Sequence, residues 1–172
     1  MVLERNPIAD DRGWFERLYC SEELKAVGVR KSIVQINRTL TKKKGSIRGM
    51  HFQYPPHAEM KIVTCLKGSI FDVAVDLRSG SDTFLKWHSE LLTQENHKSL
   101  VIPEGFAHGF QTMTDDCELL YLHTASYNPN SEGALHALDD KISIAWPLPV
   151  GEMSHRDMNH PIIDSNFNGI VL

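Results

Sequence analysis

Residues Gly45 to Lys61, GSIRGMHFQYPPHAEMK, place Arg48, His51, His57, Glu59 and Lys61 around a Pro-Pro break. Imidazole, carboxylate and ammonium groups at this density can ligate a metal, move protons, or merely solvate a loop between strands. Proton transfer at carbon asks for a base that is free near neutral pH, and histidine, with an unperturbed pKa of about 6.5, is the natural choice. A lysine such as Lys61 can stabilise the oxygen of a developing enolate. A tyrosine on another strand can return the proton to the opposite face, so together these groups invert a stereocentre beside a ketone.

The elements that must position these residues read as β. SIVQINRTL alternates, with Ile33, Gln35, Asn37 and Thr39 on one side and Val34, Ile36 and Arg38 on the other. KIVTCLKGSIFDVAVDLR reads as two strands joined at Lys67-Gly68. In its second half Phe71, Val73, Val75 and Leu77 face one way, and Asp72, Ala74, Asp76 and Arg78 the other. Further strands are expected in KWHSELL, SLVIP, FQTMT and CELLYLHTAS, separated by RSGSDT, PEGF, TDD and NPNSEG turns. One helix is expected, SEELKAVGV, with Ser21 as its N-cap and Gly28 at its close. Many short strands with little helix imply a β-sandwich or barrel. The polar residues Gln35, Asn37, Asp72 and Asp76 then face either solvent or the cavity of a small barrel. From Trp146 the chain is proline-punctuated and is expected to wrap the outside.

The 172 residues suit one domain, and 41% hydrophobic with 23% charged residues can bury an ordinary core. A formal net charge of −4 gives no reason to expect a nucleic-acid partner or a membrane surface. No signal-like or membrane-spanning apolar run is visible. Cys20, Cys65 and Cys117 are far apart and odd in number, which fits reduced thiols in a cytoplasmic protein.

Gly45, His51, Glu59 and Gly68, with PEGFAHGF at residues 103–110, resemble the two-part signature of cupins. A facial triad for a metal can be drawn from His51, His108 and Glu59. However, Gln53 stands where the second histidine ligand would be, Thr112 replaces the usual asparagine, and Glu59 lies beyond two prolines. No metal and no cofactor are therefore expected. The remaining histidines, His57, His88, His97, His123, His136, His155 and His160, show no ligand spacing and are expected at the surface or in structural roles.

Across nearly the whole chain, DDRGWF, QINRT, IRGMHFQ, FDVAVDLRSGSDTFLKW, IPEGFAHGFQT, LLYLHTASYNPNSEG, IAWP and SHRD resemble the dTDP-4-dehydrorhamnose 3,5-epimerase family of metal-free cupins. The resemblance implies a cupin-type jelly-roll β-barrel over residues 1–172, with an N-terminal arm and helix (1–30) and a C-terminal tail (147–172). It implies His51 as general base, Asp157 as the acid that orients it, Lys61 and His108 beside the enolate, Asp72 on the strand after Lys61, and Tyr121 as general acid. It further implies Arg12, Arg48 and Arg156 at the diphosphate, Tyr127 against the nucleobase, and Phe15, Gln35, Asn37, Gln53, Glu59 and Glu132 in the substrate pocket. The substrate would be a nucleoside-diphosphate 4-keto-6-deoxy sugar inverted at C5, C3 or both. The protein would be a homodimer whose N-terminal segment crosses to its partner. Departures from the family pattern are Glu59 where glutamine is frequent, Glu16-Arg17 in shifted order, Arg156 where lysine is common, and HALDD without its tryptophan, at Ala137. A 3,4-ketoisomerase, a metal cupin or a non-catalytic sugar-nucleotide binder could use the same barrel.

Overall fold

Gly68 turns the chain between the two alternating runs at φ +79°, and a Cβ there would meet the Thr114 hydroxyl at 2.6 Å and the Cys117 sulfur at 2.9 Å. Only glycine combines that conformation with that approach. The computed structural model describes residues 1–172. On either side of the turn lie β6 (Lys61–Lys67) and β7 (Ser69–Asp76), where the alternation places them. With β1 (Val2–Glu4), β4 (Gln35–Thr41), β9 (Lys98–Ile102) and β11 (Cys117–His123), β6 forms a sheet ordered β1-β9-β6-β11-β4. With β5 (Ile47–Gln53), β8 (Trp87–Thr93), β10 (Phe106–Thr112) and β12 (Glu132–Ala134), β7 forms a second, ordered β12-β5-β10-β7-β8. All the pairings are antiparallel. A separate hairpin joins β2 (Ile8–Asp10) to β3 (Gly13–Phe15). The arrangement is the cupin-like jelly roll.

The two faces of β7 bury different things. Val73, Val75 and Leu77 look away from the other sheet, and Ile142, Ile163 and Ile170 of the C-terminal region cover them, with Trp146, Met153 and Phe167 at the margin. The expected wrapping tail is thus the lid of an outer core. Between the sheets, Ile70, Ala74, Leu92 and Phe110 meet Val63, Cys65, Leu100, Leu119 and Tyr121. Each fully buried aliphatic or phenyl side chain of this kind contributes about 1.5–3 kcal/mol. The clean apolar row of β7 is therefore the outside of the roll, while the row carrying Asp72 points inward.

The central run IRGMHFQ, for which a loop between strands was one of three open readings, is strand β5, because β10 and β12 pair with it on both sides. Two expectations about helices change. The first helix, α1 (Ser21–Ala26), has Cys20 at its N-cap, with no side-chain cap, and Ser21 is its first helical residue. A second helix, α2 (His155–Met158), was not foreseen; its N-cap Ser154 accepts from the Asp157 amide at 3.0 Å. None of the helices is long and apolar enough to cross a membrane.

Candidate active site

A cavity of about 960 Å³ opens between the sheets. From the β5/β10 side His51 and His108 enter it, as directly paired residues in the register. That pairing depends on a close approach of the two backbones. Gly49 sits at φ +124°, and a Cβ there would lie 2.5 Å from the Gly109 Cα. From the facing sheet come Asn37 of β4, Lys61 of β6, and Tyr121 and His123 of β11, with Tyr121 registered against both Asn37 and Val63. The rim is supplied by Arg48 and by the α2 segment with Arg156 and Asp157.

His51 Nε2 lies 2.9 Å from Asp157 Oδ1. The carboxylate oxygen accepts, so Nε2 carries the hydrogen and Nδ1 is the nitrogen left to take a proton. Burial opposes ionisation of Asp157, but hydrogen bonds from His51 and the Ser154 cap, with the nearby imidazoles, hold its pKa below the usual carboxylate value. The second imidazole, His108, donates Nε2–H to Asp72 Oδ1 at 2.7 Å. Its burial outweighs the attraction of Asp72 and lowers its pKa, so it is a neutral donor at neutral pH. Tyr121 is 9% exposed, edge-on to His108 at 6.0 Å between ring centroids and stacked on His123. Burial raises its pKa well above the ordinary tyrosine value, so it is fully protonated, a proton donor rather than an acceptor.

Lys61 is ion-paired to Glu59 at 2.9 Å, and Glu59 accepts from His123 Nδ1 at 2.7 Å. The Asn37 amide faces His123 Nε2 at 3.3 Å. Burial alone would raise the Glu59 pKa, but the His123 hydrogen bond and the Lys61 charge reverse this and bring it to about 2. The carboxylate that departs from the family pattern is doubly paired.

Placement separates the sequence-derived candidates. Asn37, Arg48, His51, Lys61, His108, Tyr121, Arg156 and Asp157 line the cavity. Asp72 and Glu59 lie behind His108 and Lys61 as their partners. Glu132 bridges the rim Arg156 and the Tyr127 hydroxyl, the latter at 2.9 Å. Gln35 and Gln53 do not line the cavity. Their side-chain oxygens accept from the backbone N–H groups of Tyr127 and Asn128, at 3.0 and 2.7 Å, and so hold that loop. Arg12 and Phe15 sit on the exposed β2–β3 hairpin, where Arg12 pairs with Asp10. Two histidines expected to be structural belong to the site instead: His123 in its wall and His160 behind Asp157. Alternation along LLYLH carries the signal for His123, two residues from Tyr121; no spacing in the sequence marks His160.

The triad His51, His108 and Glu59 is not assembled, since His108 faces Asp72 and Glu59 faces Lys61 and His123. The acid–base group that does converge is His51, Asp157 and His160, with donor atoms within 4.8 Å of one another. Both nitrogens lie at hydrogen-bond distance, 2.9 and 3.0 Å, from one carboxylate oxygen. The set is therefore a hydrogen-bonded network rather than a ligand shell.

Residues 1–165 match the family model described as dTDP-4-dehydrorhamnose 3,5-epimerase. The Salmonella typhimurium dTDP-4-dehydrorhamnose 3,5-epimerase is 40% identical over 166 residues, 95% of this chain and 90% of that one. The crystal structure of the Bacillus anthracis dTDP-4-dehydrorhamnose 3,5-epimerase, with TDP and PPi bound, superposes with a TM-score of 0.92 at 36% identity, covering 94% of this chain and 93% of that one. A Legionella pneumophila dTDP-6-deoxy-D-glucose-3,5-epimerase in complex with dTDP-4-keto-L-rhamnose has the same TM-score at 34% identity, covering 99% of this chain and 93% of its own.

Proposed function

The chain belongs to the dTDP-4-dehydrorhamnose 3,5-epimerase family, an isomerase family, and we propose that it inverts C5, C3 or both of a dTDP-linked 4-keto-6-deoxy sugar. The observation that carries this reading is the division of acid and base between facing sheets. The oriented imidazole of His51 and the protonated phenol of Tyr121 enter one cavity from opposite sides.

The 4-ketone acidifies its neighbouring C–H bonds. His51 Nδ1 takes the proton, and the C–H electron pair moves into the enolate. Lys61 stabilises the enolate oxygen, while His108, its single N–H held by Asp72, lines the wall beside it. Asp157 holds the imidazolium that forms. Tyr121 then delivers its hydroxyl proton to the opposite face, the ketone is restored, the phenolate is reprotonated from solvent, and the His51 imidazolium releases its proton to solvent. Each step uses a side chain of this protein and calls for no cofactor. Arg48 and Arg156 at the rim suit a diphosphate, with Tyr127 beside the nucleobase.

Homodimerisation belongs to the same reading. β4 is an edge strand whose outward residues Ile36 and Leu40 are 60% and 45% exposed, and Val34 just before it is 56% exposed. The β2–β3 hairpin leaves Trp14 62% and Phe15 64% exposed, with Trp14 edge-on to His97. An edge strand left apolar calls for a partner, and the hairpin would carry Arg12 and Phe15 to the partner's cavity. The enzyme would work in the cytoplasm, in activated-deoxysugar synthesis. Incubation with dTDP-4-keto-6-deoxyglucose in D₂O, followed by NMR, tests the activity: deuterium at C3 or C5 with inversion supports it, and no exchange at either carbon overturns it.

A further inference from the structure

We propose that His160 is a positioning residue for the base, the third member of a His51–Asp157–His160 network that sets the pH above which His51 is free to accept a proton. Its Nε2 lies 3.0 Å from Asp157 Oδ1, the same oxygen that His51 Nε2 meets at 2.9 Å. The two rings stand edge to face, with centroids 5.3 Å apart. Since a carboxylate oxygen only accepts, both imidazoles present Nε2–H to it.

His160 sits one turn after Asp157, at the end of the short helix, and its side chain is 8% exposed against 36% for His51. It is thus the buried neighbour that holds the carboxylate from behind while His51 reaches the cavity. The charged groups around it are Asp157 and Arg156 of α2 and His51 of β5, with Glu132 of β12 engaged by Arg156. Burial and the repulsion of His51 and Arg156 outweigh the pull of Asp157 and lower its pKa, which leaves it neutral at working pH. A neutral donor on Oδ1 has two effects. It fixes the carboxylate that selects the Nε2–H tautomer of His51, and it takes up part of the negative charge that would otherwise stabilise the His51 imidazolium.

This rests on the reading of His51 as the base, so the test uses one readout that needs turnover and one that does not. The pH dependence of kcat/KM for deuterium exchange on dTDP-4-keto-6-deoxyglucose is measured for the wild type, His160→Gln and His160→Ala. Glutamine keeps an N–H donor and alanine does not. Alanine is expected to move the acid limb to higher pH by roughly one unit, and glutamine to keep it near the wild-type position. An acid limb unmoved by alanine, or moved equally by glutamine, overturns the proposal. Separately, ¹⁵N spectra of the histidine rings are expected to show His51 locked as Nε2–H in the wild type and His160→Gln, and in mixed tautomers in His160→Ala. An equally locked His51 in the alanine variant overturns the proposal even if the wild type proves inactive, an outcome that by itself removes only the epimerase reading.

Discussion

Replacing Glu59 by glutamine tests the doubly paired carboxylate behind Lys61. The Glu59, Lys61 and His123 side chains are 9%, 7% and 10% exposed, so solvent screens the group little. Its pKa falls from 4.5 to about 2 in the folded protein. At about 1.36 kcal/mol per unit, that depression stabilises the fold by about 3 kcal/mol at neutral pH. The sign follows from the direction: a depressed carboxylate stabilises above its unfolded value of 4.5, and this is lost as pH falls toward 2. Glutamine keeps an acceptor for Lys61 but removes the charge, so the difference between the two proteins should track the ionisation. Urea unfolding at fixed protein concentration, followed through Trp87 and Trp146, is expected to give a gap of about 3 kcal/mol at pH 7, shrinking to about 1.4 kcal/mol at pH 3. Other carboxylates titrate in both proteins and cancel in the difference. A gap below about 1 kcal/mol at pH 7, or one that does not shrink between pH 5 and pH 3, would refute the doubly paired picture.

His51→Asn is expected to slow exchange at every sugar carbon by ~10²–10⁴-fold while nucleotide affinity, read by calorimetry, stays near the wild type; near-normal exchange would remove His51 as base. Tyr121→Phe is expected to uncouple the reaction: His51 still exchanges the original face in D₂O, but inversion stops. If inversion continues at the exchange rate in that variant, the proton donor lies elsewhere. Dialysis against a chelator is expected to leave turnover unchanged, because Glu59 is taken by Lys61 and His123 and does not converge with His51 and His108; activity lost to EDTA and restored by a divalent ion contradicts this.

Alternation along the chain was enough to place β4 and β7, because side chains on a strand point to opposite faces with period two whatever the sheet around them, and apolar runs between turn signals placed β6 and β11. Together these signals put Asn37 and Tyr121 on strands, and the motifs around His51 and His108 singled out both imidazoles. Alternation does not say which face of a strand is inside. The apolar row of β7 turned out to be the outer one, because residues 142–170, distant in sequence, cover it, and this leaves Asp72 to face His108 within the roll. β5 was obscured because it is buried on both faces and interrupted by Gly49, and only its pairing with β10 and β12 makes it a strand. The pairing of Glu59 with His123 spans 64 residues and that of Asp157 with His51 spans 106. His160 gains its meaning only from the latter. Local sequence determines the type and period of each element, but the partners of a buried charge come from whichever strands and turns the topology brings within hydrogen-bond reach, and these are set by long-range packing.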